Sequence, residues 1–302
     1  MREDRILITG GGGFVGRNLI RVMIKEGFKP ENIVVIDKDN LNFIKKYKVK
    51  IVVADLSEKG KWMNEFKNTD VVINLAAQIS SPDYEPFKKN NIESTKNIVE
   101  AMKKFKVKKI LHFSSAAVLS VRKDFYAETK KEGEKLVINS GLNYCILRPS
   151  LMYGPTDDKN VGYLINFARK FYFLPIPGNG KSPRQPIYID DICRLVIKIL
   201  NKFPKNKIIN VNGKEIIYFR DMVKIILKEV GGFKFRLFLP VKLFKIAMIL
   251  YQKIIGKNKF TTDQVDSLTS GEVFEIYPWW EEYHIKTTSF EEGVKKMLKY
   301  SL

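Results

Sequence analysis

Ser115, Tyr126 and Lys130 can share a proton among them, and they fall close together in the chain. Tyr126 and Lys130 stand four apart in FYAETKKEGEK, a proline-free, helix-prone run that would set both side chains on one face, a turn apart. A phenol with a pKa of about 10 is a poor base at neutral pH. A lysine ammonium beside it favours the phenolate and lowers that pKa. A serine hydroxyl can hold a substrate oxygen while the tyrosine takes or returns its proton.

Spacing alone decides little, because Tyr84 also stands four residues before a lysine, Lys88, in a chain with 13 tyrosines. Pro86 lies between those two and argues against a shared helix interior, so that pair reads as coincidence. The Tyr126 pair has a location. HFSSA, just upstream, reads as the C-terminal end of a parallel strand, the edge where open α/β sheets bind their ligands.

The elements that must carry this edge are legible as patterns. RILIT (5–9) and NIVVID (32–37) are short apolar runs ending in turn residues, and FVGRNLIRVMIKEG between them carries helix-spaced apolar residues up to Gly27. Strand, helix and strand in about thirty residues mark a parallel βαβ unit. The alternation continues through KIVVAD, a helical stretch near Trp62 to Phe66, DVVINLAA, a helix over roughly 91–105, KKILHFSS, a helix over roughly 126–139, and NYCILRP. This predicts an α/β protein: a doubly wound parallel sheet of Rossmann type over 1–150. After Pro149 the turn-rich stretches YGP, PTDD and PIPGNGKSPRQP break the alternation, so 151–302 is expected to form a smaller α+β substrate domain. A further strand–helix–strand, about 185–212, is expected to rejoin the sheet.

The first strand-to-helix turn reads TGGGGFVG, with Gly10, Gly13 and Gly16 three apart. Gly10 permits the tight turn, Gly13 lets backbone N–H groups approach a pyrophosphate, and Gly16 lets the helix pack close to the sheet. The helix N-terminus itself favours phosphate. Asp37 ends the second strand, where a carboxylate can take the adenosine ribose hydroxyls and repel a 2′-phosphate. This favours NAD over NADP, with Lys38 able to offset part of the repulsion. The chemistry then becomes hydride transfer between a substrate carbon and nicotinamide.

Bulk properties bound the rest. A chain of 302 residues that is 45% hydrophobic can bury a sizeable core. MREDRILITG shows no signal peptide, IAMILY is too short to span a bilayer, and Cys145 and Cys193 sit in apolar contexts suited to buried, reduced thiols. These features fit a cytoplasmic protein. The net charge of +20 is spread along the chain, which reads as a solvated basic surface, and no nucleic-acid motif is visible.

Taken together, the motifs resemble the extended short-chain dehydrogenase/reductase family in its NAD-dependent nucleotide-sugar epimerase/dehydratase branch, over nearly the whole chain. TGGGGFVG resembles the family's glycine loop and implies cofactor contacts from Phe14 and Val15 besides the glycines. ADLSE places Asp55 and Leu56 at the adenine, and INLAA supplies Leu75, Ala76 and Ala77, with Asn74 where the family usually has histidine. NNIESTKNIVEA supplies Asn91, FSSAAVLS the catalytic Ser115, and YAETK the catalytic Tyr126 and Lys130. LRPSLMYGP brings Pro149 to the cofactor and Tyr153 to the substrate, and GNGKSPRQPIYIDDI brings Arg184 to the phosphates of a sugar nucleotide. The resemblance also implies a homodimer through the Asn91 and Tyr126 helices.

Departures narrow the reaction. Ala116 and Ala117 stand where the family's 4,6-dehydratases carry an acidic pair, which argues against dehydration. The loop from Ser115 to Tyr126 is short, Leu119-Ser120 replace the usual Tyr-Gly, and His112, inside a strand, reads as a packed core residue. The leading expectation is a 4-epimerase acting by transient oxidation, with Tyr126 as base and NAD as hydride acceptor. A second is net oxidation or reduction of a sugar nucleotide or a hydrophobic alcohol. A third is a membrane- or complex-associated NAD(P)-binding protein resembling the respiratory complex I accessory subunit, for which 233–260 forms a basic, apolar stretch and Thr262-Asp263-Gln264-Val265 follows.

Overall fold

A computed structural model of the chain describes residues 3–39, 41–121, 124–246, 250, 269 and 271–300. It divides into two compact units. The first comprises Met1–Ser150, Ile189–Val211 and Tyr277–Ile285; the second comprises Leu151–Tyr188, Asn212–Ile276 and Lys286–Leu302.

Six strands of the first unit come in chain order: β1 (Ile6–Thr9), β2 (Ile33–Asp37), β3 (Lys50–Val53), β4 (Val71–Asn74), β5 (Lys109–Phe113) and β6 (Asn143–Pro149). An excursion through β7 (Leu151–Tyr153), β8 (Phe173–Pro177), β9 (Pro183–Arg184) and β10 (Pro186–Tyr188) precedes the seventh, β11 (Lys207–Val211). The sheet order is β11-β6-β5-β4-β1-β2-β3, and every pairing is parallel. β1 and β4 are buried along their whole length because both faces of the sheet are covered, so they read as continuous rather than alternating apolar runs. β3 is the edge, and its Val53 is exposed. Strand order reverses between β1 and β4, the point at which such sheets form a crevice at their C-terminal ends.

One face packs against the helix Ser94–Lys104, whose Ile98, Val99, Ala101 and Met102 meet Leu7, Val34, Val72, Ile110 and Ile146 in one core. Each of these buried Ile, Leu, Val and Met side chains contributes roughly 1.5–3 kcal/mol. Trp62 and Phe66 join that core from the 3₁₀ turn Lys61–Phe66, where the sequence predicted a helical stretch. The helix Phe14–Lys25 is joined to the returning helix Ile189–Asn201 by the Arg21–Asp190 ion pair.

Two sequence expectations are corrected here. Tyr84–Phe87 is helical and runs through the wide turn Lys88–Glu93 directly into Ser94–Lys104. Pro86 lies in the first turn, where a missing N–H breaks no helical bond, so Tyr84 and Lys88 do share continuous helical backbone. The domain boundary also differs, because Tyr277–Ile285 belongs to the first unit. Completely buried Trp279 and the contacts of Lys207 on β11 with Tyr277 and Glu282 hold it there.

The second unit mixes short strand pairs with the helices Val161–Lys170, Phe219–Val230 and Phe290–Tyr300. β7 pairs with β10, β9 with β12 (Ile217–Tyr218), and β8 with β13 (Phe235–Leu239). Tyr153 lies in its core. The ring is fully buried against Tyr188 and Phe290, and a Cβ on Gly293 would come within 2.2 Å of its hydroxyl. Tyr153 is thus a packing residue, which corrects the expectation that it faces the substrate. Cys145 and Cys193 are both buried, and burial pushes the Cys145 thiol up to about 12 and Cys193 upward as well. Of the basic C-terminal stretch, 241–246 is helical, while 247–249, 251–260 and Thr262–Val265 lie outside the described residues.

Candidate active site

The glycine loop is pressed against the neighbouring strands. Gly10 has φ +70°, and a Cβ there would lie 2.6 Å from the Ala76 backbone nitrogen and 2.8 Å from the Leu75 carbonyl carbon, just beyond β4. A Cβ on Gly16 would sit 2.4 Å from Gly11 Cα, so only glycine lets the helix start this close to the turn. Gly13 is different. It is exposed, and a Cβ there would meet only the Gly10 carbonyl oxygen, at 3.3 Å. Gly13 is also the N-cap of the helix Phe14–Lys25 and offers no side-chain cap, nor does the first turn hold an acidic residue. The amides of Phe14, Val15 and Gly16 therefore keep their hydrogen-bonding capacity and the positive end of the helix dipole. This cradle fits a pyrophosphate.

Asp37 closes the loop from the end of β2. One carboxylate oxygen accepts the Gly12 amide at 2.9 Å and the other accepts the Lys38 amide at 2.7 Å. Burial nevertheless raises its pKa above the ordinary carboxylate value. Lys38, which the sequence offered as a partial offset, is turned away: its ammonium donates to Asn90 at 3.0 Å and pairs with Asp55 at 3.6 Å. Burial works against the Asp55 carboxylate, but two hydrogen bonds from Ser57, with Lys38, outweigh it and lower its pKa. Leu56 is 6% exposed and packs in the core under the sheet, so its side chain serves that core.

Asn91 works as a clamp. Its carbonyl oxygen accepts the Gln78 amide at 2.8 Å, and its NH₂ group donates to the Gln78 carbonyl at 3.1 Å and to Thr129 Oγ1 at 2.9 Å. With its amide committed in this way, Asn91 ties the segment holding Leu75, Ala76 and exposed Ala77 to the helix Phe125–Ile138.

That helix carries Tyr126 and Lys130. It starts at Asp124, whose carboxylate accepts the Ala127 amide at 2.7 Å. Ser115 follows β5; its hydroxyl oxygen accepts the Ala117 amide at 3.1 Å, and the hydroxyl lies close enough to the Tyr126 phenol to work against the rise in its pKa. The structure thus brings Ser115 and Tyr126 together, with Phe87 packed against the tyrosine ring. Tyr126 is half-buried, and burial raises its pKa, with Ser115 opposing and Asp124 adding to the rise. The expected lowering by Lys130 is absent for a geometric reason: its ammonium donates to the Phe113 carbonyl at 2.5 Å. Lys130 is 3% exposed, and burial lowers its pKa to about 8 against the opposing charge of Glu134.

Glu134, Arg148 and His112 complete the surroundings; the first two stand inside FYAETKKEGEK and LRPSLMYGP, but the sequence gave them no role. Arg148 on β6 donates to both carboxylate oxygens of buried Glu134, at 2.8 and 2.6 Å. Glu134 lies one helical turn beyond Lys130, a spacing that could have flagged it. His112 is buried on β5, as expected, and burial together with the Lys130 charge holds its pKa well below the usual value. Thr9, Asn74 and His112 stand side by side on β1, β4 and β5 and form a hydrogen-bonded row. Pro149 is buried at the end of β6, beside Val211. Arg184 belongs to the second unit, where it sits on β9 with Gly271 close against its guanidinium.

A protein-family model described as the NAD dependent epimerase/dehydratase family matches residues 6–212. A putative UDP-glucose 4-epimerase of Methanocaldococcus jannaschii is 28% identical over 261 residues, covering 75% of this chain and 82% of that protein. A ceramide reductase of Caulobacter vibrioides is 30% identical over 172 residues, which is 57% of this chain and 53% of the reductase. The solved structure of a UDP-glucuronic acid 4-epimerase from Bacillus cereus in complex with NAD is 23% identical; the match covers 98% of this chain and 97% of the other at a TM-score of 0.77, a likeness of fold.

Two outcomes test this geometry. Gly13→Val should fold with nearly unchanged thermal stability yet lose the melting-temperature shift that NAD gives the parent, whereas Gly16→Ala should lose stability itself. A Gly13→Val protein still stabilised by NAD would remove the loop from the cofactor site. For Lys130, the unfolded chain holds its proton up to about pH 10, while the folded chain releases it near 8. Stability of the parent should therefore rise between those two values. Lys130→Met removes the buried charge, so at pH 7 it should be more stable than the parent by on the order of 1–3 kcal/mol, a gap that narrows above pH 8. Denaturant titrations at pH 7 and 9.5 measure this, and a less stable Lys130→Met at pH 7 would contradict the burial argument.

Proposed function

Because the chain belongs to the NAD dependent epimerase/dehydratase family, whose cofactor is NAD, we propose that it interconverts the 4-epimers of a nucleotide sugar. The observation that carries this reading is the placing of Ser115 beside the Tyr126 phenol, with buried Lys130 one turn along the same helix, at the C-terminal end of β5 in a sheet with a phosphate-type glycine loop. Ser115 has one acceptor position taken by the Ala117 amide, which leaves its O–H free to donate. It is thereby set to hold a substrate oxygen and to pass a proton to or from Tyr126. Tyr126 acts as base toward the sugar hydroxyl and returns the proton when the alcohol is restored.

Bound NAD supplies the hydride acceptor and donor. The amides of Phe14, Val15 and Gly16 would hold its pyrophosphate, and Asp37 would take the adenosine ribose. Lys130 is a cation kept in low-dielectric surroundings and spent on a single carbonyl, so a short movement of its ammonium toward an incoming ribose or phenolate would release its effect on Tyr126. The Glu134 carboxylate, itself held by Arg148, favours the charged form of that lysine. Arg184 supplies the charge that would bind the substrate phosphates.

Dehydration is disfavoured because Ala116 and Ala117 offer no acid or base for eliminating water. Net oxidation or reduction uses the same groups and is separated by product analysis. Incubation with NAD and a panel of UDP-hexoses, followed by NMR and absorbance, should give inversion at carbon 4 without accumulating NADH. Stoichiometric NADH with an oxidised sugar would replace the epimerase by a dehydrogenase. Tyr126→Phe should keep NAD binding and lose about a hundredfold or more in turnover; equal turnover would take Tyr126 out of the mechanism.

A further inference from the structure

The second unit ends its β8–β13 pair in an edge that is basic and aromatic at once. From Gly231 the chain reads GGFKFRLFLPVKLFKI, and no acidic residue occurs between Glu229 and Asp263. Phe233 is 85% exposed and Tyr172 72%, and Phe235 and Phe238 are about half exposed. Tyr172 and Phe235 are neighbours, because the Phe235 amide donates to the Tyr172 carbonyl at 2.9 Å. The cations are interleaved with the rings: the Lys234 ammonium lies 5.8 Å from the Tyr172 centroid, and the Arg236 guanidinium 5.8 Å from that of Phe238. The helical turn that follows buries Phe244 and leaves Leu243 and Ile246 exposed on one side.

A shallow pocket of about 520 Å³ opens in this edge, lined by Lys224, Lys228, Lys234 and Arg236 together with Phe235 and Phe238. Lys228 is already bridged to Glu291 at 3.1 Å, and the Lys234 ammonium donates to the neutral Phe171 carbonyl at 3.2 Å, so the charges of Lys224, Lys234 and Arg236 remain for an incoming anion. Gly231 and Gly232, with nothing within 4 Å of a built Cβ, keep its rim open.

We propose that this edge is a docking surface for an anionic lipid membrane, with lipid phosphate taken by Lys224, Lys234 and Arg236 and the exposed rings and aliphatic side chains seated at the headgroup level. Charge selects among the occupants. A second copy docked edge to edge would set like charges against each other, whereas an anionic bilayer complements every cation of the patch. Leu243 and Ile246 select again: aliphatic side chains gain from the acyl boundary and give nothing to a phosphate backbone or a stacked base. The interleaving of rings and cations is that of interfacial segments, where rings stay at headgroup depth and cations reach for phosphate. The proposal concerns a surface of the second unit and does not depend on which reaction the first unit carries out.

The test is co-sedimentation of the full chain with vesicles of phosphatidylglycerol mixed with phosphatidylcholine, and of phosphatidylcholine alone. The parent should pellet with the anionic vesicles, be released by salt, and stay soluble with the neutral ones. Phe233→Ser and the double variant Lys234→Glu, Arg236→Glu should each weaken vesicle binding, the latter by about tenfold or more, with NAD binding unchanged as the check on folding. Inorganic phosphate at the same ionic strength as sodium chloride should release no more protein than the chloride does. Failure of the parent to pellet with anionic vesicles would overturn the proposal, as would undiminished binding by both variants. Stronger release by phosphate would reassign the pocket to a soluble anion, and duplex DNA binding that survives Phe233→Ser in place of vesicle binding would reassign the patch to nucleic acid.

Discussion

The close approach of the glycine turn to the end of β4 is the constraint on which the rest of the first unit depends. With no side chain on Gly10, the turn lies directly against the Leu75–Ala76 backbone, and with none on Gly16 the next helix begins against the turn itself. A single added carbon at either place would demand movement of backbone rather than of a flexible side chain. The consequence reaches well beyond the loop. It puts the uncapped helix N-terminus beside the strand end that Asn91 holds through Gln78, and Asn91 in turn fastens that strand end to the helix of Tyr126 and Lys130 through Thr129. Phosphate cradle and proton-handling residues are thus parts of one hydrogen-bonded edge.

Electrostatics in that edge are arranged around a buried cation. Lys130 would be more comfortable neutral, and Glu134, itself locked by two hydrogen bonds from Arg148, is what opposes the loss of its proton. A neutral His112 and the Thr9–Asn74 row fill the neighbouring strands without adding positive charge.

The sequence made the sheet legible because a buried parallel sheet writes continuous apolar runs at regular intervals, and its glycine turn because close backbone approach tolerates only one residue type. Other features escaped for physical reasons. Tyr153 carries a polar group in a motif position, yet its hydroxyl is accommodated in the second unit's core with the Ser289 carbonyl at 3.3 Å, a partner far away in sequence. Pro86 looked like a helix breaker because its place in the first turn could not be known without the helix start. Tyr277–Ile285 joins the first unit through Trp279 and the Lys207–Glu282 contact, and no local pattern announces so distant a return. The direction of the Lys130 ammonium was equally hidden, since helical spacing fixes which face a side chain leaves but not which acceptor it finds.

The central claim is that the hydrogen removed from sugar carbon 4 goes back to that same carbon after the proton on the adjacent oxygen has passed through Tyr126. The most direct measurement is turnover of a UDP-hexose deuterated at carbon 4, with the product followed by NMR in ordinary water. Full retention of deuterium at carbon 4 of the inverted sugar is the predicted result. Inversion accompanied by loss of deuterium to solvent would show proton abstraction at carbon in place of transient oxidation, and would contradict the account.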